Sequence, residues 1–181
     1  MTTFPAVRVE TDRLVVREFG PADAAGVTLV IAAGEWEALP PGAPSAPAGV
    51  WRWLREEVHW FRKGGLGVHL AVQDRASGAH IGAMSLFNPD WATGRVEIGY
   101  GARPHVRGRG YVTEALNGLT DWVLGSGGMR RIELKADPDN KASIRVAEKC
   151  GYAFEAAVPD PASGNEMLLF SRFRLTETAV R

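Results

Sequence analysis

The sequence predicts an α+β fold, in which a mixed sheet of seven strands carries about four helices on its faces. Three β-rich segments follow one another closely between residues 68 and 102, and this succession is typical of an antiparallel meander. Beyond them, strand-like and helix-like segments alternate, which indicates parallel pairing through right-handed crossovers. Together the two patterns indicate a mixed sheet with helices packed against it.

The first half of the chain contains one predicted strand, two helices and a proline-rich loop. Gly20-Pro21 separates the strand from the first helix, because proline suits the first helical turn. The loop carries four prolines and two glycines, and Gly64-Gly65 ends the second helix. The predicted ranges are 13–17 for the strand, 21–30 and 51–61 for the helices, and 39–49 for the loop.

The rest of the chain supplies six more strands and two more helices. The strongest helix begins at Gly110 and places Ala115, Leu119 and Val123 on one face, until residues 125–128 (GSGG) stop it. A shorter helix covers residues 140–149. The predicted strands are 68–73, 80–86, 95–102, 131–136, 152–157 and 167–174.

Length and charge bound the class of protein. The chain has 181 residues, which is too few for two well-buried cores, so we expect one domain over residues 1–181. Lys plus Arg and Asp plus Glu number 21 each, so no net charge attracts nucleic acid or an anionic membrane. Any anion site must therefore be local.

Cysteine content and hydropathy favour a cytoplasmic protein. The lone Cys150 cannot form an intrachain disulfide. The first ten residues lack an apolar segment of signal-peptide length, and the longest apolar run, at residues 27–33, is far too short to span a bilayer. The histidines show no metal-ligand spacing, so we expect no metal.

Residues 95–114 (RVEIGYGARPHVRGRGYVTE) have the composition of a pyrophosphate-binding loop. A strand is followed by a basic loop, two glycines and the start of an amphipathic helix, which offers unpaired N–H groups and a positive dipole end. Gly108 and Gly110 let the backbone approach an anion closely. Taken alone, the same glycines also fit a tight turn. Positive charge is added by Arg103, Arg107 and Arg109.

Two better-known phosphate loops are excluded. No GxxxxGK[ST] string exists in the chain, and Thr113 stands where the dinucleotide-binding fingerprint needs its third glycine.

Four strings together resemble the GNAT acetyltransferases, and the most similar branch is that of the ribosomal-protein N-terminal acetyltransferases (RimJ/RimL type). The strong likeness spans residues 97–152, and a weaker one extends over most of the chain. It implies the GNAT fold and an acyl-CoA-dependent N-acyltransferase. The strings are TDRLVVREFGPADA at 11–24, EIGY at 97–100, RGRGYVTEAL at 107–116 and DPDNKASIRVAEKCGY at 137–152.

The resemblance also implies where acetyl-CoA, or another acyl-CoA, binds. Amides at the start of the strongest helix would hold the pyrophosphate, and main-chain groups after EIGY would pair with the pantetheine arm and polarise the thioester carbonyl. Asn140 is equally suited to cap its own helix, worth ~1 kcal/mol, and the two roles are compatible. The implied cofactor-binding residues are Tyr100, Gly101, Ala102, Arg107, Gly108, Arg109, Gly110, Tyr111, Asn140 and Ser143.

The implied reaction is direct attack of a primary amine on the thioester, without a metal or a covalent enzyme intermediate. Glu97 is the candidate base, acting through water, because family members place a carboxylate on this strand. The alternative is an ordinary exposed strand residue. Ser143 is the candidate proton donor to the sulfur. Tyr152 is the second candidate, with core packing as its alternative.

Two positions depart from the family pattern. His105 stands where the superfamily motif has Gln or Arg. Gly101-Ala102 follow EIGY where many relatives carry bulky residues, and this predicts room for an acyl group larger than acetyl. Cys150 fits the buried core better than a nucleophile. Trp51 and Trp53 cannot share a helix face, so one of them is a candidate for the acceptor cleft, as are Trp36 and Trp91. The alternative for each is a singly exposed aromatic residue, which is common on protein surfaces.

The amine acceptor is left open. A protein N-terminus is slightly favoured by the branch, and a lysine, a polyamine, an aminoglycoside or an amino sugar are the alternatives. Fold alone does not decide between them. A homodimer also stays open, because dimers are common in this branch. The rival functions are a non-catalytic acyl-CoA sensor and a nucleotide-binding module.

Overall fold

One sheet of eight strands organises the protein, in a computed structural model that describes residues 2–160 and 163–175. Met1, residues 161–162 and residues 176–181 of the predicted domain lie outside the described residues. The α+β prediction is confirmed, with one strand and one helix more than expected. The strands are β1 (Arg8–Glu10), β2 (Leu14–Glu18), β3 (Gly67–Asp74), β4 (His80–Asp90), β5 (Arg95–Ala102), β6 (Arg131–Ala136), β7 (Ala153–Pro159) and β8 (Glu166–Phe173). The helices are α1 (Ala24–Ala32), α2 (Val50–Arg55), α3 (Trp60–Lys63), α4 (Tyr111–Leu124) and α5 (Lys141–Lys149).

The strand order is β1-β2-β3-β4-β5-β6-β8-β7. Strands β3 to β5 form the expected antiparallel meander, β2 and β1 extend it in antiparallel pairing, and β5 pairs with β6 in parallel through the α4 crossover. Strand β1 is absent from the predicted set, because three residues, two of them charged, give no detectable alternation. Among the described residues, no helix is long and apolar enough to cross a membrane.

The hydrogen-bonded pairing between the parallel strands β5 and β6 ends halfway along β5. Pairing joins Arg95–Ile98 to residues 131–134 and then ends, although β6 stays paired with β8 and β5 with β4. Residues 99–102 therefore face an opening on the side of β6. In open sheets, ligands bind where neighbouring strands diverge at their carboxyl ends.

Apolar side chains cover both faces of the sheet. Alternation along β3 and β4 sends Leu70 and Met84 to the α4 and α5 side, and Ala71 and Ala83 to the side of α1 and α2. Trp53 of α2 is buried on this second side. The two packed layers fix the face on which each polar residue of β3, β4 and β5 emerges.

The predicted helix 51–61 is interrupted in the structure. Glu56 leaves helical geometry (φ −128°, ψ −64°), so the segment forms α2, a 3₁₀ turn at Glu57–His59, and α3. Val58 stays buried, and the Phe61 ring lies flat against His69 of β3, with ring centroids 4.5 Å apart. Packing against the sheet thus overrides the continuous helical period.

A 3₁₀ turn at Trp36–Ala38 lies directly against β5. The His80 Nε2 donates to the Ala38 carbonyl oxygen at 2.9 Å, which fixes this end of the turn. The Glu37 carbonyl oxygen packs so closely on Gly101 that a Cβ there would be 1.6 Å away. The space beside Gly101 is therefore filled by main chain, and the missing side chain does not widen the site for a larger acyl group.

Replacement of Gly101 by Ala is expected to destabilise the protein by about 2–3 kcal/mol, because the Glu37 main chain must move to admit a methyl group. Urea unfolding would measure this loss. Gly20 is the matched control, since its backbone is extended (φ −159°) and a Cβ meets nothing within 4 Å. Gly20→Ala should change stability by less than about 0.5 kcal/mol. Equal stability of the two variants would show that the Glu37 contact is not made.

Candidate active site

The loop that opens α4 has the geometry of an anion cradle. Gly108 and Gly110 adopt left-handed backbone angles (φ +72° and +79°). The first helical hydrogen bond runs from Glu114 N to Gly110 O, so the amides of residues 111–113 have no helical acceptor. Gly108 is exposed, and a Cβ on it would meet nothing within 4 Å. Free N–H groups at the positive end of a helix suit a phosphate.

Arg107 contributes less to the cradle than its position in the motif suggests. Its amide donates to Pro104 O at 3.2 Å. Its guanidinium folds back to donate to Ala102 O at 3.3 and 3.2 Å and pairs with Glu37. The free amides of the cradle therefore begin at Gly108 rather than at Arg107.

Arg13, which directly precedes β2, supports the cradle. The sequence analysis did not predict this role. Its Nε pairs with Glu114 Oε2 at 2.6 Å, and its Nη1 donates to Arg109 O at 3.2 Å. The guanidinium also lies over the Tyr111 ring, 4.4 Å from the ring centroid. These contacts fix the main chain of the loop while the Arg109 and Tyr111 amides remain available.

Main-chain groups of β5 face the opening between β5 and β6. Arg103 N donates to Ile81 O at 2.9 Å, so the alternation of an antiparallel ladder turns the main-chain groups of Tyr100 and Ala102 away from β4. The same alternation turns those of Gly101 towards β4. An extended ligand in the opening would thus meet the amides of Tyr100 and Ala102.

Tyr100 and Ser143 meet across the mouth of this opening. The Tyr100 hydroxyl donates to the Ser143 carbonyl oxygen at 3.5 Å, and burial raises the pKa of the phenol, which keeps it protonated. Asn140 Oδ1 accepts from Ser143 N at 3.0 Å, so Asn140 caps α5 as one of its two expected roles requires.

Glu97 lies on the opposite face of β5 and is buried, with 7% of its surface exposed. The alternative of an ordinary exposed strand residue therefore does not hold. Its Oε2 pairs with Lys135 Nζ at 3.0 Å, and Asn88 Nδ2 donates to its Oε1 at 3.2 Å. Asn88 has φ +50°, the one left-handed non-glycine among the described residues, and it lies at the irregularity that interrupts the β4–β5 ladder between Phe87 and Asp90.

A cavity of about 700 Å³ opens on the α1–α3 side of the sheet; Asn88, whose side-chain amide donates to the Glu97 carboxylate, lines it, whereas Glu97 itself does not. None of the four predicted tryptophans lines it: Trp53 is buried in the core, Trp91 packs on Phe4, and Trp36 and Trp51 are exposed to solvent. The lining residues are Glu37, Leu39, Pro40, Pro41, Gly42, Phe61, His69, Ala83, Ser85, Phe87, Asn88, Gly99, Tyr100 and Gly101.

Two residues that the sequence did not single out meet in the floor of this cavity. His69 Nδ1 and Ser85 Oγ lie 2.8 Å apart across the β3–β4 ladder, with the Phe61 ring stacked on the imidazole. The sequence did contain a signal for this pair, because each predicted strand carries a polar residue at a position that faces the protein interior. A buried polar side chain needs a hydrogen-bond partner, and His69 and Ser85 are each other's partner.

Tyr152 and Cys150 both belong to the core on the α4 and α5 side. The Tyr152 hydroxyl lies 2.6 Å from Thr120 Oγ1, which is also buried, and burial raises the pKa of the phenol. Burial also raises the pKa of the Cys150 thiol to about 11, so little thiolate forms at neutral pH. Core packing is thus what the structure shows for both residues.

The buried His69 is expected to make the free energy of unfolding depend on pH. Burial lowers the pKa of its imidazole to about 4, from an ordinary value of about 6.5. The unfolded chain then binds a proton that the folded state does not. This contribution to stability is present above about pH 7 and is lost as the pH falls from about 6.5 towards 4. We expect the free energy of unfolding to drop by about 1–2 kcal/mol between pH 7 and pH 5, allowing for the ring's partial exposure.

Urea unfolding at both pH values would test this expectation. His69→Gln should remove a large part of the drop, and His80, whose pKa is also lowered by burial, accounts for a remainder. His105→Gln is the control, because His105 is exposed, and it should keep the full drop. An undiminished drop in His69→Gln would assign the pH dependence to other groups.

Two parallel strands that diverge next to a helix preceded by a glycine-rich loop are features of a GNAT-type architecture. The family described as "Acetyltransferase (GNAT) domain" matches residues 13–153 of this chain. The protein therefore belongs to the GNAT acetyltransferase family.

Similarity to curated proteins is partial. YkkB of Bacillus subtilis, an uncharacterised protein, is 32% identical over 111 residues, which cover 59% of this chain and 64% of YkkB. The uncharacterised N-acetyltransferase p20 of Bacillus licheniformis is 32% identical over 80 residues, covering 44% of this chain and 45% of p20. The chain thus spans less than two thirds of the length of each relative.

Solved structures confirm the GNAT fold. The ribosomal-protein-S5-alanine acetyltransferase of Vibrio fischeri superposes with a TM-score of 0.74 at 21% identity, covering 93% of this chain and 97% of the other. RimJ of Mycobacterium smegmatis, in complex with CoA-disulfide, gives 0.74 at 20% identity over 95% and 87%. The microcin C7 self-immunity acetyltransferase MccE, in complex with acetyl-CoA and AMP, gives 0.74 at 20% over 90% and 93%.

Proposed function

We propose that the protein is a cytoplasmic, single-domain N-acyltransferase that moves an acyl group, acetyl in the simplest case, from acyl-CoA to a primary amine. The observation that carries this proposal is the position of the β5–β6 opening. It lies between the open glycine loop at Gly108 and the cavity beside Glu97. A phosphate-binding end and an acceptor cavity thus flank one strand edge.

The acyl-CoA would lie along this opening. Amides from Gly108 to Tyr111 would hold the pyrophosphate. The pantetheine arm would extend along β5 and pair with the amides of Tyr100 and Ala102, as an added strand does. One of these amides would donate to the thioester oxygen as negative charge develops there. Asn140 and Ser143 would border the sulfur end.

Bond changes in the reaction set what the protein must supply. The amine nitrogen forms a bond to the thioester carbonyl carbon, and the carbon–sulfur bond breaks. The proton lost by the amine passes to Glu97 through water, and the departing thiolate takes a proton. Ser143 is the better donor of the two candidates, because the Tyr152 hydroxyl is engaged with Thr120 in the core.

A protein N-terminus is the acceptor class that we favour slightly. Two neighbours of similar fold are a ribosomal-protein-S5-alanine acetyltransferase and RimJ. The MccE neighbour, a self-immunity acetyltransferase, shares the fold equally well, so fold alone gives no acceptor.

Acceptor-dependent release of CoA tests the proposal. Acetyl-CoA and succinyl-CoA would each be offered with peptides bearing free N-termini, polyamines and aminoglycosides, and free thiol would be followed with time. Release that requires an acceptor establishes the transferase. Tight acyl-CoA binding without turnover on any amine would favour a non-catalytic acyl-CoA sensor, and equal competition by ATP would favour a nucleotide-binding module.

A further inference from the structure

We propose that the cavity selects an amine carried on an apolar, uncharged body, such as an aromatic residue at the start of a peptide, and rejects amines with a neighbouring carboxylate or phosphate. This inference rests on the proposed function, because it takes the cavity beside Glu97 as the acceptor site. It narrows the acceptor class from any primary amine to aryl- or alkyl-bearing amines whose adjoining group is neutral.

The walls of the cavity are mainly apolar. Leu39, Pro40 and Pro41 form one side, and the rings of Phe61 and Phe87 form another. A volume of about 700 Å³ leaves ample room for an aromatic or branched aliphatic side chain together with its amine. Apolar walls with few polar groups are typical of sites that recognise ligands by shape and apolar contact. A strongly hydrated sugar or polyamine would lose water here without compensation.

Three cations close to the lining residues already have acidic partners. Lys135 pairs with Glu97 at 3.0 Å, and Arg107 pairs with Glu37 and with Ala102 O. Arg103 pairs with Glu35 at 2.6 Å. A carboxylate or phosphate beside the acceptor amine would meet no unpaired positive charge among these residues, so its desolvation would be uncompensated.

The remaining polar groups in the cavity are neutral or negative. His69 is uncharged at neutral pH, since burial lowers its pKa to about 4, and it lies 2.8 Å from the Ser85 hydroxyl. Asn88 adds an amide group. Neutral donors and acceptors of this kind suit an amide carbonyl next to the amine. Glu37, whose carboxylate is largely exposed at the rim, already pairs with Arg107 and adds no free charge.

Matched acceptors that differ in one group test the inference. We expect kcat/KM with acetyl-CoA, expressed per unprotonated amine, to be at least about tenfold higher for phenylalaninamide than for phenylalanine, in which a carboxylate replaces the carboxamide, or than for glycinamide, which lacks the benzyl group. Spermidine and kanamycin should both be poorer than phenylalaninamide. Equal or reversed values for either matched pair would overturn the inference.

Phe61 provides a variant that separates the ring contact from the rest of the site. Phe61→Leu should lower kcat/KM for phenylalaninamide several-fold more than for glycinamide, and Phe61→Ala should extend this difference. Trp60→Leu is the matched control, since Trp60 neighbours Phe61 in α3 but is 60% exposed and absent from the cavity. CoA affinity, unchanged in all three variants, would verify that they fold. Equal loss for both acceptors would overturn the role of the ring.

Calorimetric titration in the presence of saturating CoA distinguishes failure of the inference from failure of the proposed function. Phenylalaninamide that binds more tightly than phenylalanine and glycinamide, but is not acylated, would support the cavity's selectivity and overturn the transferase. Acylation that is indifferent to the ring and to the carboxylate would support the transferase and overturn the selectivity. Binding of none of the three amines would also overturn the selectivity.

Discussion

Replacement of Glu97 by Gln is expected to lower turnover at pH 7 about a hundredfold, the usual contribution of one general base, and to leave CoA affinity unchanged. The carboxylate is buried beside the cavity and is held by Lys135 and Asn88. Glutamine keeps the shape and can still accept the Asn88 hydrogen bond, but it cannot take a proton. CoA affinity should be spared because the cradle lies at the start of α4. Steady-state kinetics and CoA titration would measure both quantities.

The ion pair with Lys135 requires a second variant. Glu97→Gln also removes the partner of Lys135, and loss of a partly buried ion pair can disturb a site without any role in proton transfer. Lys135→Met removes the same pair but keeps the carboxylate, so turnover should fall less than about tenfold. Equal losses in the two variants would make the pair structural. A Glu97→Gln rate that matches the wild type at every pH would show that the amine loses its proton to bulk solvent.

Local patterns were sufficient to predict most of the fold. Helix α4 follows from glycines before it, an apolar stripe within it and glycines after it, and all of these signals lie within twenty consecutive residues of the chain. The strands of the meander follow similarly from short apolar runs separated by turns. The prediction of one continuous helix over residues 51–61 was wrong. The helix breaks at Glu56, and Phe61 beyond the break packs against His69 of β3, a contact that the local sequence pattern does not contain.

The candidate site also contains one part that the sequence predicts and one part that it does not. The glycine loop was predictable because a single string carries it. The acceptor cavity was not, since its walls come from residues 37–42, α3 and three strands that only the sheet register brings together. His69 and Ser85 are adjacent only because β3 and β4 pair in one register. The tryptophans agree with the alternative of exposed or core aromatic residues, because aromatic character alone does not tell which face a residue occupies.

Gly101 shows a limit of reasoning from residue size. A glycine beside a binding site suggests extra room, and the sequence contains nothing to contradict that. In the structure the Glu37 carbonyl oxygen occupies the position a Cβ would take. Glycine is required there because two main chains meet, and contacts between backbones leave no trace in a hydrophobic pattern.

Replacement of Gly108 by Val is expected to weaken CoA binding by more than about tenfold, which corresponds to the loss of a single charge-assisted hydrogen bond. Gly108 has φ +72°, and no protein atom lies within 4 Å of a Cβ built there. A side chain would therefore clash with nothing in the protein itself. We expect the valine side chain at this exposed position to hinder the approach of the proposed pyrophosphate to the neighbouring amides.

Backbone strain is the competing explanation, and Gly128 controls for it. Gly128 has φ +79°, also has nothing within 4 Å of its Cβ, and lies beyond the opposite end of α4. Valine at either position should cost about 1–2 kcal/mol of stability, because β-branched residues are strained in left-handed geometry. Only Gly108→Val should also lose CoA affinity in calorimetric titration. Equal CoA affinity in the two variants would show that the phosphates bind elsewhere. The cofactor would then cross the sheet in a different direction from the one proposed.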